Sequence, residues 1–172
     1  MKKSISTDLT PANVAAVLAL LGESPSRLQT LGKSLSEAQQ RQPLGAGERS
    51  FVQDVAHLLN CEATSSEAVY LAILSNEPSI ADVHPERQLG KLLRFDQLPL
   101  EELLAYFGIR RKVLLGVLTS LKEKDWARTV KETNKRRKES VYWKARSIAV
   151  HEVEHLSDLE AKVRHLRSAA QS

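Results

Sequence analysis

The sequence predicts an all-α fold, an antiparallel four-helix bundle with a short extra helix near the N-terminus, and three observations predict it. Apolar residues recur at helical spacing through four long segments. No segment of comparable length alternates as a strand would, and helix start signals precede the four segments at Thr10-Pro11, Ser50, Pro99 and Ser140. With 172 residues, 42% of them hydrophobic, the chain can fill one continuous core, so a single domain over 1–172 is expected.

Each element has its own local warrant. Thr10 caps a helix whose first position is proline, a residue with no N–H to leave unpaired there; the helix runs through Val14, Val17, Leu18 and Leu21 and stops at Gly22. Ser24-Pro25 repeats the start signal and opens the short helix, with Leu28 and Leu31 on one face and Gly32 to end it. Gln42 to Gly47, containing Pro43, Gly45 and Gly47, reads as a loop. Ser50 with Gln53 forms a capping box for the second long helix, which continues through Val52, Val55, Leu59, Val69 and Ile73 to Asn76-Glu77-Pro78 and carries His57. A polar connection spans Pro78 to Gln97. Pro99 with Glu101 and Glu102 then starts the third helix in the manner its dipole favours, with a face of Leu100, Leu103, Leu104, Phe107, Arg111, Leu114, Leu118 and Leu121. Ser140 caps the fourth, through Val141, Ala145, Ile148, Leu156, Leu159, Val163 and Leu166.

The most informative short segment is His151-Glu152-Val153-Glu154-His155. Two imidazoles at i and i+4 lie about 6 Å apart along one helix face, close enough to share a cation. At 100° per residue they fall at the edge of the apolar stripe of the last helix, facing a groove. Glu152 falls near the centre of that stripe, where a carboxylate needs a cation or a hydrogen-bond donor. The letters also match H-E-x-x-H, the zinc-protease pattern. That reading fails on the positions that follow: the extended motif needs glycine and histidine where this chain has Asp158 and Ala161, and only 17 residues follow His155 to supply a downstream ligand. His57 is the candidate third ligand, although periodicity alone does not aim it at the last helix. His84 and His165 read as surface residues.

Composition narrows the remaining classes. The one cysteine, Cys61, permits no intrachain disulfide and suits a reducing cytoplasm; one turn after His57, it reads as a core residue, with a ligand or attacking thiol as the other options. The apolar run Ala15 to Leu21 after Lys2 and Lys3 reads as a helix of the mature protein, because Asp8, Pro11 and Asn13 interrupt its approach and no cleavage site follows. No apolar run approaches the roughly 20 residues that cross a bilayer. Residues 122–146 hold ten Lys/Arg against four acids, so the net +4 is one basic segment on an otherwise slightly acidic chain. Its densest part, Lys135-Arg136-Arg137-Lys138, reads as a solvated loop. No stacking aromatics or DNA-reading motif accompany it, so a nucleic-acid partner is not expected.

These residues bring a family into view. From Ser50 onward the chain resembles the DinB-like superfamily of metal-binding four-helix bundles. The elements are His57-Leu58-Leu59-Asn60-Cys61-Glu62 in the second helix, Leu98 to Leu104 leading to Phe107 and Arg111, then Leu121 and Asp125-Trp126-x-Arg128, and His151 to Leu156 in the last helix. Arg49 departs from the tryptophan that often precedes the serine opening helix two.

The resemblance implies that His57, His151 and His155 converge on one divalent cation at one end of the bundle. Zinc or nickel leads, with iron or manganese also accepted by imidazole ligands. It also implies a metal-dependent enzyme that uses a low-molecular-weight thiol, such as mycothiol or bacillithiol, as an S-transferase on a small electrophile. The alternatives are a metal-dependent hydrolase and a non-catalytic, stress-associated metal- or DNA-binding protein. Glu152 is the candidate catalytic residue. For Glu152 and Glu62 alike, orientation of a histidine N–H or proton transfer stands beside a plain salt bridge, for example with Arg111. The basic 135–138 segment is a candidate holder of the thiol's carboxylates, a small molecule is the expected partner, and a homodimer is one option for assembly.

Overall fold

The computed structural model describes residues 5–43 and 47–169; Lys2, Lys3 and Gly45 lie outside them. Among the described residues seven α-helices appear in chain order: α1 (Pro11–Lys33), α2 (Glu37–Arg41), α3 (Phe51–Leu74), α4 (Lys91–Leu93), α5 (Leu100–Ser120), α6 (Glu123–Trp126) and α7 (Val141–Ala169). Three short strands, β1 (Ser79–Ile80), β2 (Thr129–Glu132) and β3 (Glu139–Ser140), lie in the connections. The bundle is built by α1, α3, α5 and α7, and their starts are those expected. Thr10 Oγ1 accepts from Asn13 N, the Ser50 and Gln53 capping box is complete, and Ser140 Oγ accepts from Trp143 N.

The first helix is the largest departure from expectation. It does not stop at Gly22; α1 runs on through Pro25 to Lys33, and the short extra helix is α2, eight residues beyond Leu28's neighbour Gln29 and capped by Ser36 with Gln39. A proline inside a helix strips the carbonyl four residues earlier of its donor. Here that carbonyl is Leu21 O, and a guanidinium nitrogen of Arg111 donates to it at 3.0 Å. A partner from another helix therefore replaces the missing bond, which local signals cannot reveal.

α1 packs antiparallel to α5, and α3 antiparallel to α7. The pairs join so that α1 runs parallel to α7, with Tyr142 reaching Ser6 O near their starts and Arg27 paired with Glu160 farther along. Similarly, α3 runs parallel to α5, with Glu62 against Arg111. Parallel neighbours cannot be joined by a short turn, so residues 75–99 travel back along α3. This crossover carries β1, one turn of π-helix at Pro85–Gly90, α4 and a 3₁₀ turn at Phe95–Gln97. The sequence expected a plain polar connection without strands. β1 instead pairs parallel with β2, which pairs antiparallel with β3, in segments too short to show an alternating pattern. Arg128 ties this end together by donating to Ala72 O and Ser75 O at the exit of α3.

The apolar core falls into two parts. One contains Val17, Leu21, Val69, Leu114, Val141 and Ile148; the other contains Leu28, Val52, Leu59, Phe107, Leu156 and Leu159. All seven apolar positions expected to face inward on α7 are buried.

Glycine supplies a test of this packing. A Cβ at Gly32 would meet Leu100 Cδ2 at 3.0 Å and Leu104 Cδ1 at 3.1 Å, whereas Gly22 and Gly116, also inside long helices, have nothing within 4 Å. Gly22→Ala and Gly116→Ala should each raise stability by about 0.5–1 kcal/mol through helix propensity, measured by urea unfolding. Gly32→Ala should gain nothing, because the closer contact offsets the propensity.

Candidate metal centre

α3 and α7 bring the three expected histidines together. His57 lies in the second turn of α3, and His151 and His155 face it from the middle of α7, so the cluster sits along the side of the bundle under the crossover. Nε2 of His151 is 3.3 Å from Nε2 of His57 and 3.1 Å from Nε2 of His155. The His57 and His155 ring centroids are 4.7 Å apart. His84 and His165 stay outside: His84 Nδ1 accepts from the amides of Glu86 and Arg87 to cap the π-helical turn, and His165 is exposed.

One residue missed by the sequence reading completes the arrangement. Glu86, in the π-helical turn, accepts a hydrogen bond from His57 Nδ1 at 2.7 Å. The proton thus sits on Nδ1, and Nε2 is left as a lone pair aimed at the other rings. Burial alone would raise the Glu86 pKa, but the His57 bond, with help from Asn60, holds it below the usual carboxylate value. Only tertiary structure carries this signal, because Glu86 follows His57 by 29 positions, across a helix end and half the crossover.

Cys61, read from sequence chiefly as a core residue, is half-buried beside the histidines. Its sulfur lies 3.7 Å from His57 Nε2, and ligand atoms of His57, Cys61 and His151 all lie within 4.8 Å of one another. Burial, reinforced by the Glu86 charge, pushes its thiol up to about 12, so without a cation it is protonated. Burial lowers the pKa of His151, and burial together with the two neighbouring rings lowers that of His155 to about 4. Neutral imidazoles crowded nitrogen to nitrogen have fewer protons than acceptors between them, and a cation at their meeting point satisfies all three. The donor set therefore fits a divalent metal.

Glu152 and Glu62 take the salt-bridge option. Glu152 is 2% exposed, and both of its oxygens accept from Arg111, one at 2.7 Å; Glu62 accepts from the same guanidinium at 2.9 Å. No described hydrogen bond links either carboxylate to a histidine. Burial raises the Glu62 pKa, with the Arg111 charge opposing it. The basic 135–138 segment is mostly engaged as well. Lys135 pairs with Glu132 and Glu139, Lys138 with Glu77, and Arg137 stacks 4.2 Å over the Trp143 ring.

Removing Arg111 would leave two buried carboxylates without their cation. Arg111→Met should cost about 3–5 kcal/mol in urea unfolding, and adding Glu62→Gln and Glu152→Gln to it should recover most of that loss. A cost under about 1 kcal/mol for Arg111→Met would mean the carboxylates are solvated. His151 and His155 predict an acid lability. Their folded pKa lies below the ordinary 6.5, so the unfolded chain binds more protons between about 6.5 and about 4. Stability of the metal-free protein is therefore full above that window and lost as pH falls through it. His155→Asn should flatten the upper part of the melting-temperature profile, before the carboxylates titrate.

Comparison with known proteins agrees with this architecture. No curated protein sequence matches the chain. Among solved structures, YfiT from Bacillus subtilis, described as "a probable metal-dependent hydrolase with an unusual four-helix bundle topology", superposes with a TM-score of 0.84 at 14% identity, covering 96% of this chain and 94% of that one. At that identity the likeness concerns the fold. The DinB superfamily profile matches residues 20–159, a stretch that includes all three clustered histidines, the whole of α3 and α5 and the larger part of α1 and α7, and the chain belongs to the DinB superfamily.

Proposed function

We propose that this protein is a divalent-metal-dependent enzyme acting on a small molecule, with His57, His151 and His155 as the metal ligands. The observation that carries the reading is the convergence of three imidazole nitrogens with a carboxylate fixing the tautomer of His57. A divalent cation there would lower the pKa of a thiol or a water molecule and present it as a nucleophile. Glu86 holds the His57 ring in place and keeps its proton on Nδ1. Cys61 flanks the ligands as a fourth donor within reach.

Between thiol transfer and hydrolysis, the fate of the carboxylates supports thiol transfer. A cation brings bound water only near neutrality, so a hydrolase still relies on a base beside it to take the proton during attack, and a nearby free carboxylate usually serves. Glu62 and Glu152 are committed to Arg111, and Glu86 to His57. A thiol starts only one or two units above neutrality and needs no such base once it meets a cation. Two recesses also border the histidines. One is charged, with Arg49, Lys91 and Arg94; the other is largely apolar, with Leu58, Pro85 and Ile148. Separate sites of contrasting polarity suit a cofactor and an electrophile. Hydrolysis is the second reading, favoured by what is said of YfiT.

Metal analysis should find about one divalent ion per chain, with occupancy sharply reduced in His57→Ala, His151→Ala and His155→Ala and retained in His84→Ala and His165→Ala. Full occupancy in His57→Ala would sink the ligand set. Cobalt-substituted protein should gain a sulfur-to-metal charge-transfer band when a small thiol is added, in the Cys61→Ser background as well, so that the protein's own sulfur is excluded. With no band and thiol-independent loss of substrate, the hydrolase becomes the better account.

A further inference from the structure

Each of the two helices behind the histidine cluster carries a pair of ligand-type side chains four residues apart, His57 and Cys61 on α3, His151 and His155 on α7. Residues at that spacing share one face of a helix, so both pairs point into the same gap. The Cys61 sulfur lies nearer His57 Nε2, at 3.7 Å, than Nδ1, at 3.9 Å, and Nε2 is the nitrogen that meets His151. Cys61 belongs to neither part of the apolar core. Together with His151, Leu58, Pro85 and Ile148 it lines the apolar recess, which has a volume of about 230 Å³. A core cysteine would be walled off by apolar side chains, whereas this one opens on imidazoles and on a recess.

The separations of the donor atoms carry the argument further. Around a tetrahedral zinc, with nitrogen at about 2.0–2.1 Å and sulfur at about 2.3 Å, ligand nitrogens stand about 3.3–3.4 Å apart and sulfur about 3.5–3.6 Å from nitrogen. Here the Nε2 pairs are 3.3 and 3.1 Å apart, and the sulfur is 3.7 Å from His57 Nε2. Three edges of that tetrahedron are thus laid out by the side chains alone. We infer that Cys61 is the fourth metal ligand of the resting protein, bound as its thiolate, and that an outside thiol reaches the centre only by competing with it. The proton that Cys61 gives up on coordination goes to solvent, and one from the outside thiol replaces it when that thiol wins, so the competition is balanced in charge and protons. Three imidazoles and a thiolate complete a tetrahedral set, which leaves no position for water while Cys61 is bound. Sulfur also tilts the donor set toward zinc and away from manganese. This deepens the proposed function and rests on it for the three imidazoles. What it adds is a guard on the site, since one thiolate can take the place of another on nearly even terms and water cannot.

The test is X-ray absorption at the zinc edge on the purified, zinc-loaded protein, with reduced selenocysteamine as the outside probe. In the wild type, one sulfur at about 2.3 Å should accompany nitrogens at about 2.0–2.1 Å. Cys61→Ala and Cys61→Ser should lose that sulfur yet retain zinc, at an affinity at least about tenfold lower, the floor set by loss of a mere outer-shell partner. The chain has one cysteine, so no other thiol of the protein can be the source. Excess selenocysteamine should replace the sulfur by selenium in the wild type, and it should bind Cys61→Ala at lower concentration, because nothing contests the position there. A wild-type zinc shell without sulfur would overturn the inference while leaving the three-histidine set intact. Selenium bound beside a retained sulfur would overturn it as well, since the two would not be competing. The proposed thiol chemistry fails by a different result: sulfur present in the wild type and lost in both variants, with selenium taken up by neither wild type nor Cys61→Ala, would leave Cys61 a ligand and remove the outside thiol.

Discussion

One guanidinium joins all four long helices. Arg111 projects from α5, donates to the Leu21 carbonyl of α1, and holds Glu62 of α3 and Glu152 of α7, with Phe107 of its own helix 4.9 Å below. The apolar core divides into two parts, with this polar group between helices that contribute to both. Burying a charge this completely costs several kcal/mol before its partners compensate, so the arrangement gains less in stability than in specificity. Sliding any helix by a turn would strand a buried charge. The proline in α1 belongs to the same device, because Pro25 frees the carbonyl that Arg111 takes.

Fixing the register of α3 against α7 also fixes the histidines. Glu62 and Glu152 meet at Arg111, while His57 lies five residues before Glu62 and His151 immediately precedes Glu152. In antiparallel helices those offsets carry His57 toward His151 and His155. The parallel relation of α3 to α5 forces the chain to return along α3, and that return lays Glu86 on His57 Nδ1 and Gly90 on Asn60. Bundle topology thereby delivers Glu86 and Gly90 to the cluster, although neither belongs to the four long helices that make the core.

What the sequence disclosed and what it concealed divide along this line. Capping at Ser50 and Ser140, the inward face of α7 and the His151/His155 pair are set within one helix, where periods of 3.6 residues and capping offsets are readable. The need of Glu152 for a partner was readable too, since its angular position put a carboxylate in an apolar stripe, and Arg111 stood among the leucines of α5 for the same reason. Pro25 misled because its local meaning is a helix start, and only a donor from α5 allows it inside. Glu86 could not be found at all. Its segment has neither period nor motif, and its role follows from where a crossover lands.

The segment that reads H-E-x-x-H illustrates how a pattern of letters can separate from the chemistry it names. In that pattern the glutamate beside the first histidine is the base. Here the side chain at that position turns inward, by the 100° step that separates neighbours on a helix, and both of its oxygens are taken by Arg111. The carboxylate that meets a histidine comes instead from Glu86, on the opposite side of the rings. A base placed like Glu152 would have to leave a buried cation to act, abandoning the interaction that holds four helices in register. The same residue cannot easily serve both purposes. That conflict, more than any distance, is why the chemistry proposed for this centre is one that needs no free carboxylate.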